Sequence, residues 1–231
     1  CSRNKPARGV RTQRVLSSVF MGDRMTGKLV TVVGNSGAGK TTLVRRLCAA
    51  AAFTPALEQH AQRPFQQLFA DDLARWGLAN QVDYLLLRAE QEQAARWGTG
   101  IAIHDGGLDL DFHGFARLFW RKGYLTDAEF DLCARLYATL RACLPPPELV
   151  IYLAAPPALA AERYRARSRS LEITRLEDLA LLDTLIAEWV ATVPPSRLLR
   201  IDAAAPGYGS EAHIAALARE IGECLNQNAS D

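Results

Sequence analysis

Eight residues, Gly34, Asn35, Ser36, Gly37, Ala38, Gly39, Lys40 and Thr41, stand in the pattern G-x-x-x-x-G-K-[ST], and Thr42 follows them. A chance match in a chain of this length is roughly a 1% event. Glycines in such a loop let successive backbone N–H groups turn inward around phosphate oxygens. A helix opening directly after it adds a favourable dipole. Lys40 would reach the β and γ phosphates, and the Thr41 hydroxyl would ligate Mg²⁺. The bland alternative is a glycine-rich turn, and the flanking pattern argues against it. The chemistry implied is binding of a nucleoside triphosphate, ATP, with Mg²⁺. No N-K-x-D guanine-reading motif is present, and no long apolar strand ends in Asp-Glu. A GTPase and a large motor ATPase are therefore disfavoured, and a small-molecule kinase remains.

The elements that must position this loop alternate. Lys28–Val33 reads as a β-branched strand and residues 41–52 as an Ala- and Leu-rich helix. A loop with Pro55 and Pro64 follows, then helical pattern over 65–76 and 80–97. Residues 101–104 form a short strand that ends in Asp105-Gly106-Gly107. Helical pattern returns over 111–120 and 127–144. A strand over 149–153, helices over 158–169 and 178–193, a strand over 198–201 and a helix over 210–225 complete the chain. Strands separated by helices imply parallel crossovers and a sheet covered on both faces. The fold class is α/β, one phosphate-loop domain over residues 24–231.

Composition narrows the function classes. With 27 basic and 25 acidic residues, the net charge of +2 excludes a heavily basic nucleic-acid binder as the global reading. No apolar run reaches the roughly 18 residues that a membrane span needs. The five cysteines form no C-x-x-C and their count is odd, which speaks against a disulfide framework and fits a reducing compartment. Residues 1–22 hold five basic residues and no acid, and the only methionines are Met21 and Met25. A disordered leader, a start misplaced upstream, and an Arg-rich transit peptide all fit residues 1–23. The expected location is cytoplasmic, or mitochondrial on the transit-peptide reading.

The acceptor side lies further along. Ala56-Leu57-Glu58, Arg63-Pro64-Phe65, Phe69-Ala70-Asp71, Arg75-Trp76 and Gln81 follow the phosphate loop. Gln81 and Arg88 are seven residues apart, two turns along one helix face. A Gln amide presents a donor and an acceptor together, and Arg presents a fork, which suits a base edge. A solvated helix flank would show the same spacing. Asp111 and Phe115 lie beyond the next strand. Arg163, Arg165, Arg167 and Arg169 crowd one segment and repel one another unless anions sit among them. An exposed basic helix is the alternative.

Over residues 28–193 the chain resembles the deoxynucleoside kinase family. That resemblance implies that Glu58 is the general base on the acceptor 5′-hydroxyl; read alone, Glu58 is a surface residue. It implies that Gln81, Arg88, Asp111 and Phe115 hold the base and that Glu172 bonds the sugar 3′-hydroxyl. Arg163, Arg167 and Arg169 match a lid that closes over the phosphates, and Asp105 matches a carboxylate near Mg²⁺. The implied activity is phosphorylation of the 5′-hydroxyl of a deoxynucleoside by ATP, in nucleotide salvage. The implied partner is a small nucleoside, with no nucleic acid or membrane. The family commonly dimerises, though no stripe here marks a homodimer interface. One position departs: the family has Arg where this chain has Gly106. Either Arg63, His60 or His104 stands in, or the acceptor differs, or activity is lost. Another small-molecule or nucleotide kinase, and a catalytically weak ATP-binding regulatory protein, are the alternatives this departure leaves. Gly106→Arg raises activity if the chain is impaired and lowers it or leaves it flat if the site has been rebuilt.

Overall fold

The computed structural model describes residues 25–56, 63–166 and 176–227. Five strands form one parallel sheet: β1 (Lys28–Val33), β2 (Phe53–Ala56), β3 (Ile101–Asp105), β4 (Leu149–Ala154) and β5 (Leu198–Asp202). Their spatial order is β2-β3-β1-β4-β5. Val30 lies opposite Ile103 on one side and Leu149 on the other, so β1 is central. The crossovers are helices: α1 (Lys40–Ala50), α2 (Gln66–Asp71), α3 (Leu73–Trp97), α6 (Asp127–Cys143), α7 (Pro157–Ala166), α8 (Leu179–Val190) and, after β5, α9 (Glu211–Gln227). Between β3 and α6 one helical run changes geometry twice. It passes from α4 (Leu108–Leu110) through a π-helical turn (Asp111–Ala116) to α5 (Arg117–Arg121).

Both sheet faces are covered, which explains the near-continuous apolar runs of β1 and β4. On one face Val30, Val32, Ile103 and Ile151 pack under Leu43 and Leu47 of α1 and Leu217 and Ile221 of α9. On the other, Val33 and Val150 meet Leu85 of α3, Phe112 and Phe119 of the segment after β3, and Leu182 and Ile186 of α8. Thr126 caps α6, with Glu129 reaching back to the Thr126 N–H at 2.8 Å, a complete capping box.

The sheet departs from the sequence reading at β2. The Pro55 stretch, expected as loop, is an edge strand, with Pro55 opposite Ile103. Proline lacks the ladder N–H and is tolerated in a strand only at an edge, so its presence marks the position of this strand as much as it hides it. The helix expected over 111–120 begins earlier, at Leu108, and its middle turn is π rather than α. The two helices expected over 65–76 and 80–97 divide instead at Asp72, whose side chain caps α3 by accepting from Arg75 N–H at 3.1 Å. The basic leader expected over 1–23 lies outside the described residues.

Candidate functional site

Parallel strands bring their C-terminal ends to one edge of the sheet, where α/β folds bind ligands. The phosphate loop runs from the end of β1 to the start of α1. Gly39 precedes α1 and leaves its first amides without a side-chain cap, a ready anion site. Gly37 has φ +82°, and a Cβ there would lie 2.3 Å from the Ala160 carbonyl oxygen of α7. Only glycine lets the loop pass this close to that helix. Lys40 Nζ folds over the loop and donates to the Gly34 and Asn35 carbonyls, each at 3.0 Å. Ser36 and Ala38 continue the turn, and Thr42 sits exposed on the first turn of α1.

Asn35 is buried and its side chain serves the loop itself. Its Oδ1 accepts from Ser36 N–H at 2.8 Å, and its Nδ2 donates to the Leu179 carbonyl at 2.8 Å. Asp183 of α8 stands behind it, within 3.4 Å of the same Nδ2, and burial pushes that carboxyl up. The side chain thus fastens the phosphate loop to the start of α8, a role its place in the motif did not announce.

Arg163 donates from Nη1 to the Ala38 carbonyl at 3.0 Å, so α7 aims a cation at the loop. Thr41 Oγ1 hydrogen-bonds Asp105 Oδ2 across the gap between α1 and the end of β3. Asp105 is buried. A hydroxyl and a carboxylate so placed are oxygen ligands of the kind Mg²⁺ takes, with the remaining positions left to phosphate and water. The donor set fits the ion.

The other wall of the edge is polar and buried. Gln81 is 1% exposed and Arg88 2%, which removes the solvated-flank reading. Arg88 Nε donates to Asp111 Oδ2 at 2.6 Å, and Gln81 Nε2 donates to the Asp111 backbone carbonyl at 2.9 Å. Three residues separated by up to 30 positions in the chain thus form one cluster. Phe115 lies next to them in sequence but is half-buried and packs toward Phe119 at 6.3 Å between ring centroids, while Phe112 and Phe119 are core. Of the other sites expected from sequence, Glu58, Arg167, Arg169 and Glu172 lie outside the described residues, as does His60.

Two of the cations that could replace an arginine at position 106 do not. Arg63 is committed to Asp83, with its Nη2 2.6 Å from Oδ2, and it lies over the Tyr84 ring. His104 is fully buried and is held down to about pKa 3, first by burial and then by Arg88, Arg96 and Arg141, so it is neutral. Among the described residues, the cation beside Gly106 is Arg88, whose Nη2 lies 3.2 Å from where a Cβ would stand. No motif or spacing in the sequence connects the two residues, because eighteen positions separate them.

The loop after β5 also reaches the site. The Tyr208 hydroxyl comes within 4.0 Å of a Cβ placed on Gly39, and Arg163 and Arg46 lie near enough to act on its charge. No spacing in the sequence announces Tyr208.

The sheet order, the loop between β1 and α1, and the Thr41–Asp105 pair define a phosphate-loop nucleotide-binding protein of the α/β class. A family model for deoxynucleoside kinases matches residues 30–225, and the chain belongs to that family, whose members phosphorylate nucleosides. It is 25% identical over 147 residues to a deoxyadenosine/deoxycytidine kinase of Bacillus subtilis, covering 63% of this chain and 68% of the relative. It is 27% identical over 148 residues to a deoxyadenosine kinase of Dictyostelium discoideum, covering 64% of this chain and 60% of that protein. Among solved structures, a deoxyadenosine kinase from M. mycoides with dCMP and dCDP bound superposes with a TM-score of 0.73. That match covers 84% of this chain and 99% of the other at 20% identity. The same kinase with bound dATP gives 0.71. At this identity the superposition shows a shared fold.

Proposed function

We propose that the chain transfers the γ-phosphoryl group of ATP, with Mg²⁺, to the 5′-hydroxyl of a deoxynucleoside whose base carries an exocyclic amine beside a ring acceptor, as adenine and cytosine do. The observation that carries this reading is the buried Gln81–Arg88–Asp111 cluster facing the same sheet edge as the phosphate loop. The Gln81 amide spends one N–H on the Asp111 carbonyl. Its plane is thereby fixed, and among the described residues Oε1 and the second N–H remain to accept from an amine and donate to a ring nitrogen. The Arg88–Asp111 pair supports the same wall. The names of the two relatives described above, a deoxyadenosine/deoxycytidine kinase and a deoxyadenosine kinase, agree with such a base.

Lys40, the uncapped amides of α1 and Arg163 would spread the charge of the transferring phosphoryl group, the dominant need of this chemistry. Bound Mg²⁺ would neutralise phosphate charge, held by Thr41 and Asp105. Glu58 would accept the 5′-hydroxyl proton, Arg167 and Arg169 would close over the phosphates, and Glu172 would hold the 3′-hydroxyl. The roles of these four residues rest on the family resemblance.

A labelled-ATP assay against a panel of deoxynucleosides tests the reading, with Gln81→Ala beside the wild type. The wild type is expected to prefer deoxyadenosine and deoxycytidine. The variant is expected to lose about five- to 150-fold of that preference, the worth of a bidentate contact to a base edge at about 1–3 kcal/mol. Equal weakening toward all acceptors places the base pocket elsewhere. ATP binding without any phosphorylation refutes the kinase reading for this chain.

A further inference from the structure

Helix α3 carries a buried polar stripe at intervals of one and two turns: Gln81, Arg88, Glu92 and Arg96. Each charge in it meets an opposite charge from another element. Arg88 meets Asp111, and Arg96 Nη1 meets Glu148 at 2.9 Å. Glu92, the middle member and 0% exposed, meets Arg141 of α6.

Arg141 does more than neutralise Glu92. Its Nη1 and Nη2 donate to the two Glu92 carboxylate oxygens at 2.7 and 2.9 Å. Its Nε and Nη2 donate to the two Asp109 oxygens at 2.8 and 2.9 Å. One guanidinium thus holds two carboxylates in paired, planar contacts, the geometry at which arginine excels. The Tyr137 hydroxyl adds a bond to Asp109 at 2.7 Å, and His113 Nε2 lies 3.1 Å from that hydroxyl. Burial opposes the Arg141 charge, but its bonds to Glu92 and Asp109 outweigh it and raise its pKa.

What the clamp grips is the short segment between two proposed ligands of the reaction. Asp105 ends β3, Asp109 is in the clamp, and Asp111 carries the base wall. The segment has no slack: Asp111 N–H bonds back to the Gly107 carbonyl at 3.1 Å, and a Cβ on Gly107 would meet Thr31 at 2.9 Å. On the other side, Glu92 is one helical turn from Arg88. Both halves of the Arg88–Asp111 pair are therefore attached within a turn to a carboxylate held by Arg141.

We propose that Arg141, through Glu92 and Asp109, is the positioning residue of the nucleoside pocket, setting the relative placement of α3 and the segment after β3 that together carry Gln81, Arg88 and Asp111. The proposal rests on the nucleoside kinase function given above. The Arg141 guanidinium is spent on Glu92, Asp109 and the Pro145 carbonyl, so its removal is expected to act on the acceptor and to spare the phosphate loop, which precedes α1 and is fastened to α8 instead.

The test is steady-state kinetics on Arg141→Met, Glu92→Gln and Tyr137→Phe in the full chain, well below each variant's melting temperature. A displacement of about 1 Å at a positioning contact can cost on the order of a hundredfold. Arg141→Met is expected to raise the deoxynucleoside KM at least tenfold and to narrow the preference between bases, with the ATP KM within about twofold of wild type. Glu92→Gln keeps the shape, folds on milder terms, and is expected to shift the same constants in the same direction. Tyr137→Phe leaves the four guanidinium contacts in place and is expected to shift them least. If Arg141→Met does not fold, Glu92→Gln and Tyr137→Phe decide. A folded Glu92→Gln enzyme with unchanged nucleoside KM and base preference, or one in which ATP and nucleoside constants move together, overturns the proposal. A wild type that phosphorylates no nucleoside overturns the function itself, and is seen before any variant is made.

Discussion

Gly106 and Gly100 have nearly the same φ, +91° and +94°. They differ in surroundings. A Cβ on Gly100 meets nothing within 4 Å, whereas one on Gly106 lies 3.2 Å from Arg88 Nη2 and 3.7 Å from its Cζ. Replacing either by alanine forces an L-residue into positive φ at about 1–2 kcal/mol. For a domain of this size that lowers Tm by about 2–8 °C in both variants. Only Gly106→Ala also pushes on a buried guanidinium whose Nε is 2.6 Å from Asp111. Arg88 is buried and paired with Asp111, so the displacement is expected to pass to the Arg88–Asp111 pair. We expect Gly106→Ala to lose about tenfold in kcat/KM for the deoxynucleoside, with the ATP KM unchanged, since sub-ångström misplacement of a positioning group costs on this scale. Gly100→Ala should keep wild-type kinetics. Thermal melts and kinetics on the pair give the answer. Equal Tm losses with wild-type nucleoside kinetics in both would show that Arg88 does not depend on position 106. Gly106→Arg extends the series: two guanidinium groups would compete for one buried place, and activity is expected to fall. A gain would mean that the site lacks a cation, and that Arg88 does not supply it.

Lys40→Ala is expected to abolish turnover and weaken ATP binding, seen by calorimetry, because the ammonium folded over the phosphate loop is lost; retained turnover would remove the loop from the mechanism. Glu58→Gln should lower kcat by about 10²- to 10⁴-fold with a smaller change in nucleoside KM, and a change confined to KM would make Glu58 a positioning residue. His104 and His113 are depressed to about 3 and 4, each chiefly by burial. The unfolded chain therefore binds their protons first, and stability is full above about pH 6.5 and falls as pH drops toward those values, by up to about 1.4 kcal/mol per pH unit for each. Urea melts between pH 7 and 5 should show this slope, and His104→Val should remove about half of it, leaving the share of His113; an unchanged slope would assign the acid sensitivity to other groups.

Sequence alone determined the phosphate loop, the alternation of strands and helices that implies a parallel sheet, and the family. These are local matters. A glycine-rich turn, a strand period and a helix period are each written in contiguous residues, and their order along the chain limits the topology. The Gln81, Arg88 and Asp111 grouping was also legible, but only through the resemblance. From spacing alone a buried base wall and a solvated helix flank look alike.

The tertiary structure decided everything that depends on which distant residues share a space. Pro55 reads as a loop residue until its strand is seen to lie at an edge, where the missing N–H costs no ladder bond. Arg63 and His104 were plausible cations beside Gly106 by sequence distance. Folding commits the first to Asp83 and strips the second of its charge by burial, leaving Arg88 in the place. Glu92, Asp109 and Arg141 carry no motif, since a guanidinium and two carboxylates 49 and 32 residues away have no spacing to recognise. Burial and pairing are properties of the packed chain. The charge of a side chain is written in its type, while its partner and its energy come from the elements that close around it.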